Sequence, residues 1–367
     1  MCFEQKTCRR AASGGVALLM VLLLLSQMSA LAGGAASKTN NAADQAPPAL
    51  MLEGGRRLEF VRAISAETEV RGKRSVWKRI VDLVAGPPEF HRMVRPYGIA
   101  LDSLGRVIVS DPGVPAVHIL DFEKQKYEQI SGGKGIAFRS PMGVAVDAQD
   151  NIYVTDSALG IVFVFDSKGK HKNFIGQRQG RAGTFQRPTG IAVDSAAKRL
   201  YVADTLGHKV FVLDLTGRVL SSFGERGLRP GQFNFPTEIV ARGRELLVVD
   251  AMNFRVQTFS RDGGFVRSFG SLGERTGSLF RPKGLALDSE GNIYVADALL
   301  ETVQVFNEQG RLLYFFGRSG AGLGEFQLPS GLCIDPRNRI YVADSLNQRI
   351  QIFQFTSAPR PAKGSGR

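Results

Sequence analysis

Six times in this chain an aliphatic run ends on an aspartate. The runs are Val109-Ser110-Asp111, Val154-Thr155-Asp156, Val202-Ala203-Asp204, Val248-Val249-Asp250, Val295-Ala296-Asp297 and Val342-Ala343-Asp344. Successive aspartates are 45, 48, 46, 47 and 47 residues apart. Self-similarity at that period belongs to solenoids, propellers and arrays, so it limits the fold before any residue is considered singly.

The interior of one period decides among these. In the fifth, Arg281-Pro282-Lys283-Gly284 reads as a turn and Leu285 to Asp288 as a short strand. Ser289-Glu290-Gly291-Asn292 is a hairpin turn, followed by a second strand from Ile293 to Asp297. Further strands are predicted over Val303 to Phe306 and Leu312 to Gly317. Four short β runs separated by Gly, Asn and Asp turns make one propeller blade. No period holds a 3.6-residue apolar pattern long enough for a helix pair, which excludes a helical solenoid. The innermost strands are Gly-Ile-Ala-Leu at 98–101, Gly-Val-Ala-Val at 143–146, Gly-Ile-Ala-Val at 190–193 and Gly-Leu-Ala-Leu at 284–287. Their alternating small residues suit the crowding near an axis.

The sixth period supplies only three strands, ending near Phe355. An open blade edge invites pairing with other chains. Residues 57–64 (RLEFVRAI) resemble the missing outermost strand and are expected to close the ring. The fold class is therefore all-β: a six-bladed propeller of four-stranded antiparallel blades, closed by an N-terminal strand.

The flanks differ from the repeats. Lys6, Arg9 and Arg10, an apolar core from Val16 to Leu25, and Ala30-Leu31-Ala32 form an export signal. No charge occurs from Ala11 to Ser37, so residues 1–32 also admit reading as an uncleaved membrane anchor. Residues 33–50 read as a flexible linker, 51–357 as the propeller and 358–367 as a disordered basic tail. One short amphipathic helix is expected at 73–84. There Trp77 and Ile80 lie on an apolar face and Lys78 and Arg79 beside it, a pattern for packing on the propeller or for peripheral membrane contact. Cys2 and Cys8 fall in the leader and leave Cys333 alone, so no internal disulfide is expected.

The motifs resemble the NHL repeat family. They include Gly291-Asn292-Ile293-Tyr294-Val295-Ala296-Asp297, Leu346-Asn347-Gln348-Arg349-Ile350-Gln351-Ile352-Phe353 and Leu206-Gly207-His208-Lys209-Val210. The resemblance runs in register over residues 90–356 and implies six blades. The first two repeats depart from it in their Asn-His-Arg portion, and the fourth has Glu238 where the others have glycine. Similar propellers serve as protein-binding modules, extracellular sensors and RNA-binding surfaces, and a few are lyases with an axial metal.

Candidate sites follow from register. Asp111, Asp156, Asp204, Asp250, Asp297 and Asp344 read as turn-stabilising carboxylates. They can also pair with a basic residue five positions on, as Asp250 with Arg255, Asp344 with Arg349 and Asp204 with Lys209. Arg95, Arg187 and Arg281 precede the inter-blade prolines and Arg139 comes one position earlier. With Lys283 they form a cationic rim at one channel mouth, suited to an anionic ligand or an acidic partner, with Glu238 as an internal counter-charge. His91, His118, His171 and His208 fall in places that do not converge on the axis, so no metal and no cofactor are expected.

Charge agrees with this direction. The net charge is +13, and without the first 32 residues 44 basic and 33 acidic residues leave +11. The function expected is an exported, non-enzymatic scaffold in the periplasm or outside the cell, binding a protein or ligand through one channel face. An envelope complex is a natural setting for such a partner. The alternative is a metal-dependent lyase or hydrolase with an axial site, against which the apolar innermost strands count. RNA binding fits the charge but not export. The homo-oligomeric state stays open.

Overall fold

The computed structural model describes residues 49–52, 55–71, 90–176 and 184–356. The leader, most of the linker, the helix expected at 73–84 with Trp77, Lys78, Arg79 and Ile80, and the basic tail lie outside them. Among the described residues no helix is long and apolar enough to cross a membrane.

Among the described residues six antiparallel blade sheets follow one another, with a two-stranded sheet of Gly132–Gly133 and Ile136–Ala137 between the first two. Blade one is Ile99–Leu101, Val107–Asp111, Ala116–Asp121 and Lys126–Ile130. Blade two is Pro141–Val146, Ile152–Asp156, Ile161–Phe165 and His171–Ile175. Blade three is Pro188–Asp194, Arg199–Asp204, Lys209–Asp214 and Val219–Phe223. Blade four is Pro236–Arg242, Glu245–Asp250, Arg255–Ser260 and Phe265–Phe269. Blade five is Pro282–Leu287, Ile293–Asp297, Thr302–Phe306 and Leu312–Phe316. Blade six has Pro329–Ile334, Arg339–Asp344 and Arg349–Thr356 from the C-terminal end of the repeats.

The fourth strand of blade six is Arg57–Ile64, antiparallel to Arg349–Thr356 with Leu58 opposite Phe355 and Phe60 opposite Phe353. It is the closure expected from the one strand missing in the last period. A bulge at Val61 turns that side chain outward, and beyond it Ala49–Met51 adds a fifth strand. This strand reaches into the segment whose composition reads as linker.

Middle strands are buried on both faces because each blade packs against two neighbours. Six apolar clusters result, one per junction. Phe233, Ile239, Val248 and Phe259 belong to the core between blades three and four. Leu58 and Phe60 enter the core between blades five and six with Phe326, Phe353 and Phe355. Ile64 enters the core between blades six and one with Met93, Val109 and Ile350. The ring is also tied near the axis, where Gly331 N–H donates to Tyr97 O at 2.8 Å and Ser345 Oγ donates to Pro96 O at 2.7 Å.

Inner strands begin three residues before the expected Leu285. Pro282 already pairs with Asp297 across a bulge, because the proline needs only its carbonyl there. The bulge brings the inner strands close together: a Cβ on Gly284 would meet Ser330 O at 2.0 Å. This crowding accounts for the glycines at 98, 143, 190, 284 and 331.

Candidate binding surface

Call the upper face the one on which the second strands end. The six strand-end aspartates are there, all essentially inaccessible to solvent. In blades one, two, three and five each carboxylate gathers backbone N–H groups from two loops. Asp297 accepts from Phe280 and Arg281 of the incoming loop at 2.7 and 2.9 Å, and from Leu299 and Leu300 of its own turn at 3.2 Å each. Asp111 holds Val94 and Arg95, Asp156 holds Arg139 and Ser140, and Asp204 holds Gln186 and Arg187. Each rim arginine thus has its backbone fixed by a buried carboxylate.

Blades four and six use the same aspartate differently. Asp250 and Asp344 each take one backbone donor from the incoming loop, from Asn234 and Gln327. Their remaining partners are side chains: Asn253, Arg255 and Gln257 in one blade, Asn347, Arg349 and Gln351 in the other. Arg255 and Arg349 pair with them at 2.9 and 2.8 Å. No ion pair joins Asp204 to Lys209 among the described residues. Phe235 and Leu328 replace the rim arginine in these two blades and take left-handed backbone, with φ of 57° and 48°. Basic residues on the rim are therefore confined to four blades.

The side chains of Arg95, Arg139 and Arg187 are exposed and, among the described residues, make no ion pair or side-chain hydrogen bond. Among the described residues the Arg281 guanidinium makes one side-chain hydrogen bond, to the Met252 sulfur at 3.4 Å. Lys283 is half-buried, its Nζ 5.9 Å from the centre of the Tyr97 ring. Burial, then the charges of Arg281 and Arg95, hold its ammonium below the usual lysine range. Burial also raises the Tyr97 hydroxyl. The Glu238 charge adds to that rise, while Arg187 and Arg281 oppose it. Tyr97, Lys283, Glu238 and three of the rim arginines thus share one electrostatic neighbourhood at the upper mouth of the axis.

Below this mouth runs a cavity of about 440 Å³ walled by the inner strands. Ile99, Val144, Ile191, Leu285 and Leu332 line it with Cys333, whose thiol is pushed up by burial. Glu238 stands at its upper end, where the other five blades have glycine, and accepts the Ile239 N–H at 3.0 Å. Loss of hydration pushes its carboxyl up to about 8, so it is protonated at neutral pH and no described cation forms an ion pair with it. The unfolded value is near 4.5. The folded state therefore binds the extra proton between these values, and stability falls as pH rises through that window. Glu238→Gln is expected to gain a few kcal/mol over the native chain at about pH 9, at ~1.4 kcal/mol per pKa unit, and almost nothing at about pH 5. Thermal melts of both proteins across that range check this.

The lower face is partly neutralised, with Arg244, Arg311 and Arg337 exposed and, among the described residues, unpaired. Five of its arginines pair with nearby carboxylates: Arg106 with Asp102, Arg199 with Asp262, Arg261 with Asp194, Arg242 with Glu308, and Arg339 with Asp335. Five of the six inner strands are followed or ended by an aspartate that closes the first hairpin. Asp288, for example, accepts from Glu290 and Asn292 N–H at 2.9 Å each. Apolar exposure is also unequal. Val94, Leu206, Leu228, Leu272, Leu299, Leu323 and Leu346 project from upper loops at 40–75 % exposure, whereas Leu104 is the lone such side chain described on the lower turns.

The histidines remain apart. His118 is buried, its Nδ1 on the Tyr127 hydroxyl and its Nε2 3.5 Å from Asp111. His91 bonds Glu67, His171 packs among Phe163, Phe165 and Phe174, and His208 faces Phe235. Among the described residues no group of three or more His, Cys, Asp or Glu is placed to hold a metal ion. Sequence reasoning missed Tyr97 and gave the hairpin aspartates no role. The hairpin aspartates do leave a signal, since each stands four residues after the inner-strand glycine.

Comparison with known proteins agrees with this architecture. Residues 143–225 match a six-bladed β-propeller family and residues 326–353 match the NHL repeat. No curated protein matches the chain. Among solved structures, an auxiliary nutrient binding protein from Bacteroides thetaiotaomicron is 14% identical over 72% of this chain and 69% of its own, with a TM-score of 0.57. A gluconolactonase from Xanthomonas campestris is 15% identical over 85% and 96%, with a TM-score of 0.57. Virginiamycin B lyase from Staphylococcus aureus is 12% identical over 82% and 99%, with a TM-score of 0.53. At these identities the likeness is one of fold.

Proposed function

We propose that this six-bladed propeller of NHL repeats is an exported, non-enzymatic scaffold whose upper face binds an acidic protein partner. One observation carries the reading: the two faces differ in how their arginines are satisfied. On the lower face Arg106, Arg199, Arg242, Arg261 and Arg339 are paired with carboxylates and Arg244, Arg311 and Arg337 are not, whereas around the upper channel mouth Arg95, Arg139 and Arg187 are all exposed and, among the described residues, without one. A surface of unpaired guanidiniums interspersed with exposed leucines suits an interface with an anionic rim and apolar anchors. The leader supports export, and an envelope complex follows from it. The nutrient binding relative supports the same class of role. The lactonase and lyase relatives keep an enzyme in view, but the channel wall of Ile, Val, Leu and Ala offers few groups for acid–base chemistry.

The test is affinity capture from the native envelope fraction, with the intact chain and with Arg95, Arg187 and Arg281 all changed to Ala. Capture by the intact chain is expected to weaken steeply toward about 1 M salt, where the Debye length is only ~3 Å, and to be lost in the triple variant. The same partners retained by the variant at the same salt would sink the reading.

A further inference from the structure

The axial cavity combines features that the protein-binding reading does not use. Its lining side chains are mostly aliphatic, its volume falls within the ~300–1,000 Å³ usual for small-molecule sites, and Lys283, Arg95 and Arg281 lie together at its upper mouth. We propose that the axial channel binds a monocarboxylate with an apolar tail, the tail lying between the inner strands and the carboxylate held at the upper mouth by Lys283 and Glu238.

The sign of the ligand follows from the mouth. Lys283, Arg95, Arg187 and Arg281 surround it, and Lys283 is destabilised by its two arginine neighbours until an anion arrives. A cationic amphiphile meets the same groups as repulsion. Glu238 does not reverse this, because its protonated carboxyl presents a hydrogen-bond donor to an incoming carboxylate. The apolar body follows from the side chains of the wall, where Ile99, Val146, Leu285, Leu287 and Leu332 present hydrocarbon to a ligand. At the lower end Arg242, the arginine that lines the cavity, is already engaged by Glu308 and the Gly291 carbonyl. The chain's own C-terminal segment does not fit. Arg360, Lys363 and Arg367 give it the sign of the rim, and the strand that leads to it, Arg349–Thr356, runs away from the upper face.

The experiment is calorimetric titration of the intact protein with dodecanoate below its micelle concentration, beside acetate and dodecyltrimethylammonium. Saturable one-to-one binding of dodecanoate is expected, with acetate and the ammonium amphiphile at least about tenfold weaker. Lys283→Ala removes a charge-assisted hydrogen bond and is expected to weaken dodecanoate about tenfold or more. Leu287→Arg and Val146→Arg obstruct the channel from two different blades and are expected to abolish binding while leaving partner capture unchanged. That separation distinguishes a failed channel from a failed upper face. Dodecanoate binding no better than acetate, equal binding of the ammonium amphiphile, or native affinity in Lys283→Ala or in a channel variant that melts like the native chain each overturns the proposal.

Discussion

A chain that begins at residue 65 is expected to lose cooperative folding and to self-associate. The removed segment carries Leu58, Phe60 and Ile64, all buried, into the cores on both sides of blade six. Each such side chain is worth about 1.5–3 kcal/mol, and together they approach the ~5–15 kcal/mol that holds a domain folded. The deletion also strips Arg349–Thr356 of its partner and leaves an apolar edge with unpaired backbone. Size-exclusion chromatography and a thermal melt check the outcome. A single sharp transition in a monomeric truncated chain would show that the ring closes without this strand. Point variants give the graded form: Phe60→Ala is expected to cost about 3–5 kcal/mol. Val61→Ala, at the bulge and 48% exposed, is expected to stay within about 0.5 kcal/mol of the native chain.

This closure was legible because a repeat fold must balance its strands. Three strands in the last period and one orphan β run before the first leave one arrangement without an open edge. The rim arginines were legible for a similar reason, since a residue beside an inter-blade proline must lie where the chain enters the axis. Glu238 stood out as the one break in a glycine position set by backbone crowding. Other features depend on distances that no pattern encodes. Tyr97 occupies the freely varying position between proline and glycine, and its place over the mouth emerges only from the Lys283 contact across the ring. Leu206, Leu299 and Leu346 look like core residues in the sequence. They stand exposed in the turn after each strand-end aspartate. The pairing of individual arginines has the same origin. Both faces hold arginines and aspartates at similar density, and only the folded geometry shows which of them meet.

The two forms of the strand-end aspartate should separate stability from rim geometry. Asp344 is the hub of side chains: Arg349 donates to it at 2.8 Å, and Asn347 and Gln351 at 2.9 Å each. Arg349 is itself almost buried and continues to the Gly322 and Glu325 carbonyls. Asp344→Ala leaves this guanidinium without a counter-charge and is expected to cost about 3–5 kcal/mol, read from urea denaturation. Asp297 holds four backbone N–H groups and no charged side chain. Asp297→Ala is expected to cost less, about 1–3 kcal/mol, because water can reach the loop donors once the loop relaxes. Its loss appears elsewhere. Amide exchange at Phe280 and Arg281 should rise, and partner capture should weaken, because the Arg281 backbone no longer has a fixed anchor. In Asp344→Ala those amides should keep their native exchange rates at denaturant concentrations well below the transition. If both variants destabilise equally and neither changes exchange at the rim, the carboxylates serve the blades alone. The four rim-holding aspartates then lose their link to binding.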